Sequence, residues 1–305
     1  MPRPAPLPGI WPALLTPRID ALDIDHARFA AHARALLDAG CGGVTPFGTT
    51  GEGMAFSVDE RRAAVDALVA GGVPAGRILV STSCAALPDA LALTRHAVSI
   101  GAWGCLLLPP FFMKGVPDDG IVGAYRWLID RVADPRLKIM LYHIPQVAGV
   151  GLPVGVVQRL AALYPGTIAG IKDSQCDLAH SLALADALMP GLTVHVGNEP
   201  DLPALGRRGS TGAVSGLANF MPRTVRRLVL QPDDAATPAA LARVQQLLGL
   251  LGGYALIPAL KAIMAADTGH TGWLRVRPPL VALDDVAAAA LRGRLAPLAL
   301  ASARD

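Results

Sequence analysis

The chain has 305 residues and a mass of 31.5 kDa, and a mean hydropathy of +0.42 with only 17% charged residues marks it as rich in core. Its net charge of +3, from 27 basic against 24 acidic residues scattered along the sequence, excludes the basic footprint of a duplex-binding protein. No apolar run approaches the roughly 18 residues of a membrane span, and the N-terminal Met1-Pro2-Arg3-Pro4-Ala5-Pro6-Leu7-Pro8 has no apolar signal-peptide core, so a cytoplasmic location is expected.

Apolar segments rich in β-branched residues recur at 9–15, 42–47, 77–81, 104–108, 138–142, 168–172, 193–197 and 212–215. Helical periodicity fills the gaps, as at 25–39, 58–70, 88–99 and 118–132. The second of these helices opens with Ser57 and has Glu60 three positions on, a capping box that satisfies the first free amides. Eight strands alternating with helices predict an α/β fold, a (β/α)8 TIM barrel over residues 1–230, with an open doubly wound sheet as the alternative. Residues 231–305 turn to Ala/Leu-rich stretches broken by Gly252, Gly253 and Pro258, which predicts a C-terminal helical extension packed on the barrel. Its expected role is stability or subunit packing.

Cys41, Cys84, Cys105 and Cys176 lie far apart and are expected to be buried, reduced thiols. The seven histidines form no His/Asp/Glu cluster at ligand spacing, so no metal is expected. His143 neighbours Tyr142 but faces the opposite side of an extended strand, which suits a structural histidine.

Barrel enzymes place their chemistry at the C-terminal ends of the strands. The sixth segment ends in Lys172, one of only four lysines against 23 arginines. Where a bare charge suffices this chain uses Arg, so a lysine emerging from an apolar run points to amine chemistry on a carbonyl. A snorkelling surface lysine is the bland alternative. The fifth segment ends in Tyr142, on a neighbouring strand, where a phenol could move protons above that amine. After the second segment comes Gly48-Thr49-Thr50-Gly51-Glu52, a tight turn whose hydroxyls and amides suit a small anion such as a carboxylate.

Together with Pro109-Pro110, Pro145, Gly197 and the 212–215 segment, these residues give the chain a pattern that resembles the dihydrodipicolinate synthase / N-acetylneuraminate lyase family of Schiff-base aldolases. The resemblance implies an enzyme in which Lys172 forms an iminium with a 2-oxo acid, usually pyruvate. It further implies that Thr49 and Thr50 hold the substrate carboxylate and that Tyr142 shuttles protons to the aldehyde oxygen. Gly48, Ser174, Gly197, Glu199 and Val214 complete the implied substrate contacts. By the same resemblance the enzyme needs no metal or other cofactor and forms a homo-oligomer, commonly a tetramer.

Two departures bear on the substrate. The synthase branch has a carboxylate-binding arginine five positions after the tyrosine, where this chain has Val147, and a tyrosine pair where this chain has Phe111-Phe112. Ser174 and Glu199 match positions where the lyase branch contacts substrate hydroxyls. The expected activity is therefore a pyruvate-dependent aldolase or lyase acting on a 2-keto-3-deoxy sugar acid or a sialic-type acid. Dihydrodipicolinate synthase, a 2-oxo acid dehydratase on the same lysine, or a catalytically silent 2-oxo acid sensor remain the alternatives.

Overall fold

A computed structural model describes residues 7–20 and 23–298; most of the proline-rich N-terminal stretch expected to lack a signal-peptide core, and the last residues of the extension, lie outside the described residues. The strands are β1 Gly9–Pro12, β2 Leu79–Ser81, β3 Gly104–Leu107, β4 Ile139–His143, β5 Ile168–Asp173, β6 Thr193–Val196 and β7 Gly212–Ser215. They alternate with helices α1 His26–Asp38, α2 Val58–Ala70, α3 Leu87–Ser99, α4 Asp118–Val132, the short α5 Pro145–Ala148, α6 Val154–Leu163, α7 Leu178–Leu188, α8 Leu202–Arg207 and α9 Pro222–Leu230. All recorded ladders are parallel: β2 through β6 run in order, and β7 pairs with β1.

The second barrel position, expected at 42–47, is reduced to single bridges from Thr45 to Ala13 and from Val44 to Ile78. Its sequence explains the shortening. Pro46 has no amide to donate, and Phe47 turns into the left-handed region at φ 62. Upstream, a Cβ on Gly43 would lie 2.1 Å from the Trp11 ring, so this stretch serves close packing against β1. The backbone still bonds on both sides, Thr45 N donating to Pro12 and Leu79 N to Val44. Between β6 and β7 the Ser210 hydroxyl bridges instead, donating to the Val194 carbonyl at 2.8 Å. The result is a closed (β/α)8 TIM barrel followed by C-terminal helices.

Packing divides into three layers. Strand and helix side chains such as Val44, Ile78, Cys105, Leu141 and Ile171 form the cluster between sheet and helices α1 to α4, α6 and α7. Trp11, Leu79, Leu106, Met140, Tyr142 and Val214 fill the barrel interior. Beyond α9 come α10 Thr237–Leu251, α11 Leu256–Thr268 and α12 Asp285–Leu295, whose Val244, Leu247, Leu260 and Leu291 join Ile10, Val196 and Val225 in one cluster. Each such side chain contributes about 1.5–3 kcal/mol by leaving water, so extension and barrel share a core. Among the described residues no single helix is long and apolar enough to cross a membrane; α10 and α11 pass such a test only as a pair bent by 116°.

Two cysteine expectations need correction. All four are free thiols, but only Cys41 and Cys105 are buried. Cys84 is half-buried, and Cys176 is exposed, at a left-handed position, φ 64, in the loop leaving β5.

Candidate active site

Parallel register sets the site. Tyr142 pairs with Lys172 and Lys172 with His195 across β4, β5 and β6, so the three side chains leave one face of the sheet, into the barrel. The Lys172 ammonium lies 4.3 Å from the centroid of the Tyr142 ring. A cation over an aromatic face gains about 0.5–2 kcal/mol, and an iminium formed at the same nitrogen would keep that contact. Lys172 is 4% exposed and Tyr142 2%, which leaves the pair nearly dry.

The turn at 48–52 closes above them. Its carbonyl at Gly48 accepts from the amides of Gly51 and Gly53, and Glu52 N donates to Thr49, so these groups are satisfied within the turn. Half-buried Thr49 and Thr50 face the barrel mouth. The Thr49 hydroxyl stands 3.2 Å from the Tyr142 hydroxyl. Thr50 lies beside Gly216, just past β7, where an added Cβ would touch its Oγ1 at 3.4 Å. Thr49 thus contacts the phenol while Thr50 stands on the β7 side of the same turn.

Of the remaining residues named from the sequence, Ser174, Gly197 and Glu199 gather around the same lysine. A Cβ on Gly197 would lie 2.4 Å from Ser174 Oγ and 3.2 Å from Lys172 Cε, so both approach the bare backbone there. Val214 is buried with Tyr142 in the barrel interior. Glu199 Oε1 accepts from Ser215 Oγ at 2.6 Å and from Leu217 N at 3.3 Å. Burial raises the Glu199 carboxyl above its ordinary value, while the hydroxyl of Ser215 and the charge of Lys172 pull it back. One Glu199 oxygen is therefore tied to β7.

At the mouth, Val147 is 63% exposed and Phe112 72%. Phe111 turns inward and packs against the cluster holding Tyr142. Lys114 Nζ donates to the carbonyls of Phe111 and Ala148, stapling the loop after β3 to α5. Its charge is thereby engaged next to Val147.

Three features escaped the sequence. His195 is fully buried, and burial pushes its imidazole down to about 3, so it is neutral under ordinary conditions. Glu52 proves to be buried in an ion pair with Lys261 of α11. The third is a cluster of His143, Asp173 and His180, whose candidate donor atoms lie within 4.8 Å of one another, contrary to the expectation that no such grouping exists. Chain spacing concealed it, because β4, β5 and α7 supply one residue each. The two imidazoles are stacked, centroids 4.6 Å apart and planes 19° from parallel. A metal lies in the plane of each ring that binds it, so stacked rings do not converge on one ion. Hydrogen bonds occupy the cluster instead: Leu152 N donates to His143 Nδ1, while His180 Nδ1 and Ser181 Oγ both bond Asp173 Oδ2. Burial lowers the His143 value, consistent with a neutral structural histidine.

The chain matches the dihydrodipicolinate synthetase family over residues 6–296. It is 35% identical to an uncharacterized DapA-like lyase of Chloroflexus aurantiacus, across 93% of this chain and 94% of that protein. A 4-hydroxy-tetrahydrodipicolinate synthase of a Synechococcus species is 29% identical across 97% and 96% of the two chains. Among solved structures, dihydrodipicolinate synthase from Agrobacterium tumefaciens superposes with a TM-score of 0.89 at 34% identity, covering 95% of this chain and 99% of that one. YagE of Escherichia coli K12, a family member crystallised with pyruvate, gives a TM-score of 0.88 at 25% identity and covers 97% and 100%. The barrel, the motif order and these matches agree: the chain belongs to the dihydrodipicolinate synthetase family.

Proposed function

We propose that the protein is a pyruvate-dependent Schiff-base aldolase or lyase in which Lys172 is the nucleophile, Tyr142 the proton shuttle and Thr50 the main carboxylate holder. Membership of the family makes it a class I lyase. The observation that carries the residue assignment is the stack of Lys172, Tyr142 and Thr49, linked at 4.3 Å and 3.2 Å inside a nearly dry barrel mouth.

The chemistry follows from these groups. The neutral Lys172 amine attacks C2 of a 2-oxo acid, and the Tyr142 phenol gives its proton to the departing hydroxyl of the carbinolamine, leaving water, a protonated imine and a Tyr142 phenolate. That cation accepts the electron pair of the C3–C4 bond when Tyr142 removes the proton of the C4 hydroxyl, releasing an aldehyde and an enamine. Protonation at C3 and hydrolysis then free pyruvate and the amine. The iminium supplies the electron sink, so this route calls for no metal or cofactor. A carboxylate fixed near Thr50 turns the encounter of ketone and amine into an intramolecular one. Gly48, Ser174, Gly197, Glu199 and Val214 line the substrate side of this reading.

For the second substrate, we favour a 2-keto-3-deoxy sugar acid or sialic-type acid over aspartate semialdehyde. A semialdehyde carboxylate at Val147 would meet an exposed alkyl group, and Lys114 is held by two carbonyls. We read the enzyme as a cytoplasmic homo-oligomer. The free cysteines suit a reducing compartment, and exposed Phe112 and Met113 at the mouth suit contact with another copy. A panel of aldol acids assayed by pyruvate release tests the substrate choice. Release from a sugar-acid aldol, with negligible condensation of pyruvate and aspartate semialdehyde, is the expected result; synthase-level turnover with the semialdehyde would reverse the preference.

A further inference from the structure

A fully buried ion pair joins the C-terminal extension to the turn above Lys172. Lys261, on α11, donates to Glu52 Oε1 at 2.5 Å, and neither side chain is exposed to solvent. The other carboxylate oxygen of Glu52 accepts from the Arg277 amide at 3.1 Å, beyond α11. The Arg277 guanidinium in turn bonds the Ala55 carbonyl and both oxygens of Glu60, at 2.7–3.0 Å, and covers the Phe56 ring at 4.5 Å.

Glu52 also sits in the left-handed region, φ 58, as does Phe47 at φ 62. These two positions bracket Thr49 and Thr50. Residues with a Cβ resist that conformation and keep it only where their surroundings impose it. On the strand side the Thr16 hydroxyl donates to the Gly51 carbonyl at 2.8 Å. A Cβ on Gly53 would lie 1.8 Å from the Phe47 carbonyl, so the turn is folded tightly on itself. The Glu52 carboxylate is bonded from the extension, by Lys261 and by the Arg277 amide, and the buried Arg18 guanidinium lies close enough to feel its charge.

A buried ion pair seldom stabilises a fold more than two apolar side chains of the same volume would. What it does supply is direction, because two carboxylate oxygens with two fixed donors hold one backbone geometry. We infer that Glu52 and Lys261 are positioning residues, which through the strained turn hold Thr49 against Tyr142 and Thr50 over the pocket where the substrate carboxylate lies. This inference rests on the proposed roles of Lys172 and Thr50. It gives α11 a part in catalysis besides packing.

The test uses the full chain and the double variant Glu52→Gln/Lys261→Met, which removes both charges together and leaves neither buried alone. Borohydride trapping of pyruvate on Lys172 is followed against pyruvate concentration, giving a half-saturating concentration and a limiting rate. Loss of positioning predicts a half-saturating concentration raised roughly 10-fold or more with a much smaller change in limiting rate, since displacement of a binding group weakens capture first. A folded double variant that half-saturates within about twofold of the parent overturns the inference. Hydrogen exchange on the unaltered protein gives a second reading that does not depend on the variant folding. The amides of Gly51, Glu52 and Gly53 should open together with α11; a turn that exchanges far faster than α11 contradicts the link. Absence of trapping in the parent would strike at the proposed function itself, whereas normal parental trapping with an unshifted variant would strike only at the role of the pair.

Discussion

Tyr142 makes two separable contacts, its ring under the Lys172 cation and its hydroxyl beside Thr49. Tyr142→Phe keeps the ring and deletes the hydroxyl that the proposed proton path needs. Cleavage of an aldol substrate should therefore fall by about 10²–10⁴, while borohydride trapping of pyruvate persists; cleavage at the parental rate would make Tyr142 a packing residue only. Gly197→Ala tests the close approach on the other side of the lysine. Its Cβ would press on Ser174 Oγ and Lys172 Cε, and a shift of about 1 Å at a reacting group can cost on the order of 10² in rate. Turnover should drop that far with a urea midpoint near the parent's, and an unchanged turnover would show that the stem yields freely. The placement of Lys172 and Tyr142 at neighbouring strand ends was legible in the sequence, and the register of β4 and β5 sets them side by side. Lys261 was not, although a cation between Leu260 and Ala262 in an apolar stretch was a usable signal. Its partner Glu52 is 209 positions away, and no local pattern reports a contact that long.

Helices were more legible than strands. The periodicity over 58–70 and 118–132 coincides with α2 and α4, and the Ser57/Glu60 capping box forms with both reciprocal bonds. Such boundaries are set by local chemistry, the free amides of the first turn, so a short window of sequence contains the answer. The second strand was overestimated because apolar content was counted and its punctuation was not. Pro46 and the left-handed Phe47 limit the ladder to Val44 and Thr45, and the same bend begins the turn that carries Thr49 and Thr50. The His143, Asp173 and His180 cluster was missed for a related reason. Three elements each contribute one member, and only the parallel register of β4 and β5 brings the first two together.

The barrel as a whole gathers residues from Thr49 to Gly216 around one amine, and it does so by burying groups that water would otherwise charge. His195 is the clearest case, held near 3 in the fold against an ordinary value of 6.5. Above the ordinary value neither folded nor unfolded chain binds the proton. As pH falls through it, the unfolded chain gains a proton that the folded chain refuses until about 3, so the contribution of a neutral His195 is complete above 6.5 and is lost progressively below. Between about pH 6 and about pH 5 the parent should lose on the order of 1 kcal/mol more stability than His195→Gln, measured by urea unfolding; parallel profiles would show that His195 protonates freely in the fold. The central claim, that Lys172 carries the reaction as a covalent nucleophile, has a more direct test in peptide mapping of the protein after treatment with pyruvate and borohydride. The account predicts one irreversible pyruvate-derived adduct, on Lys172. No adduct, or an adduct confined to Lys114, Lys138 or Lys261, would contradict it.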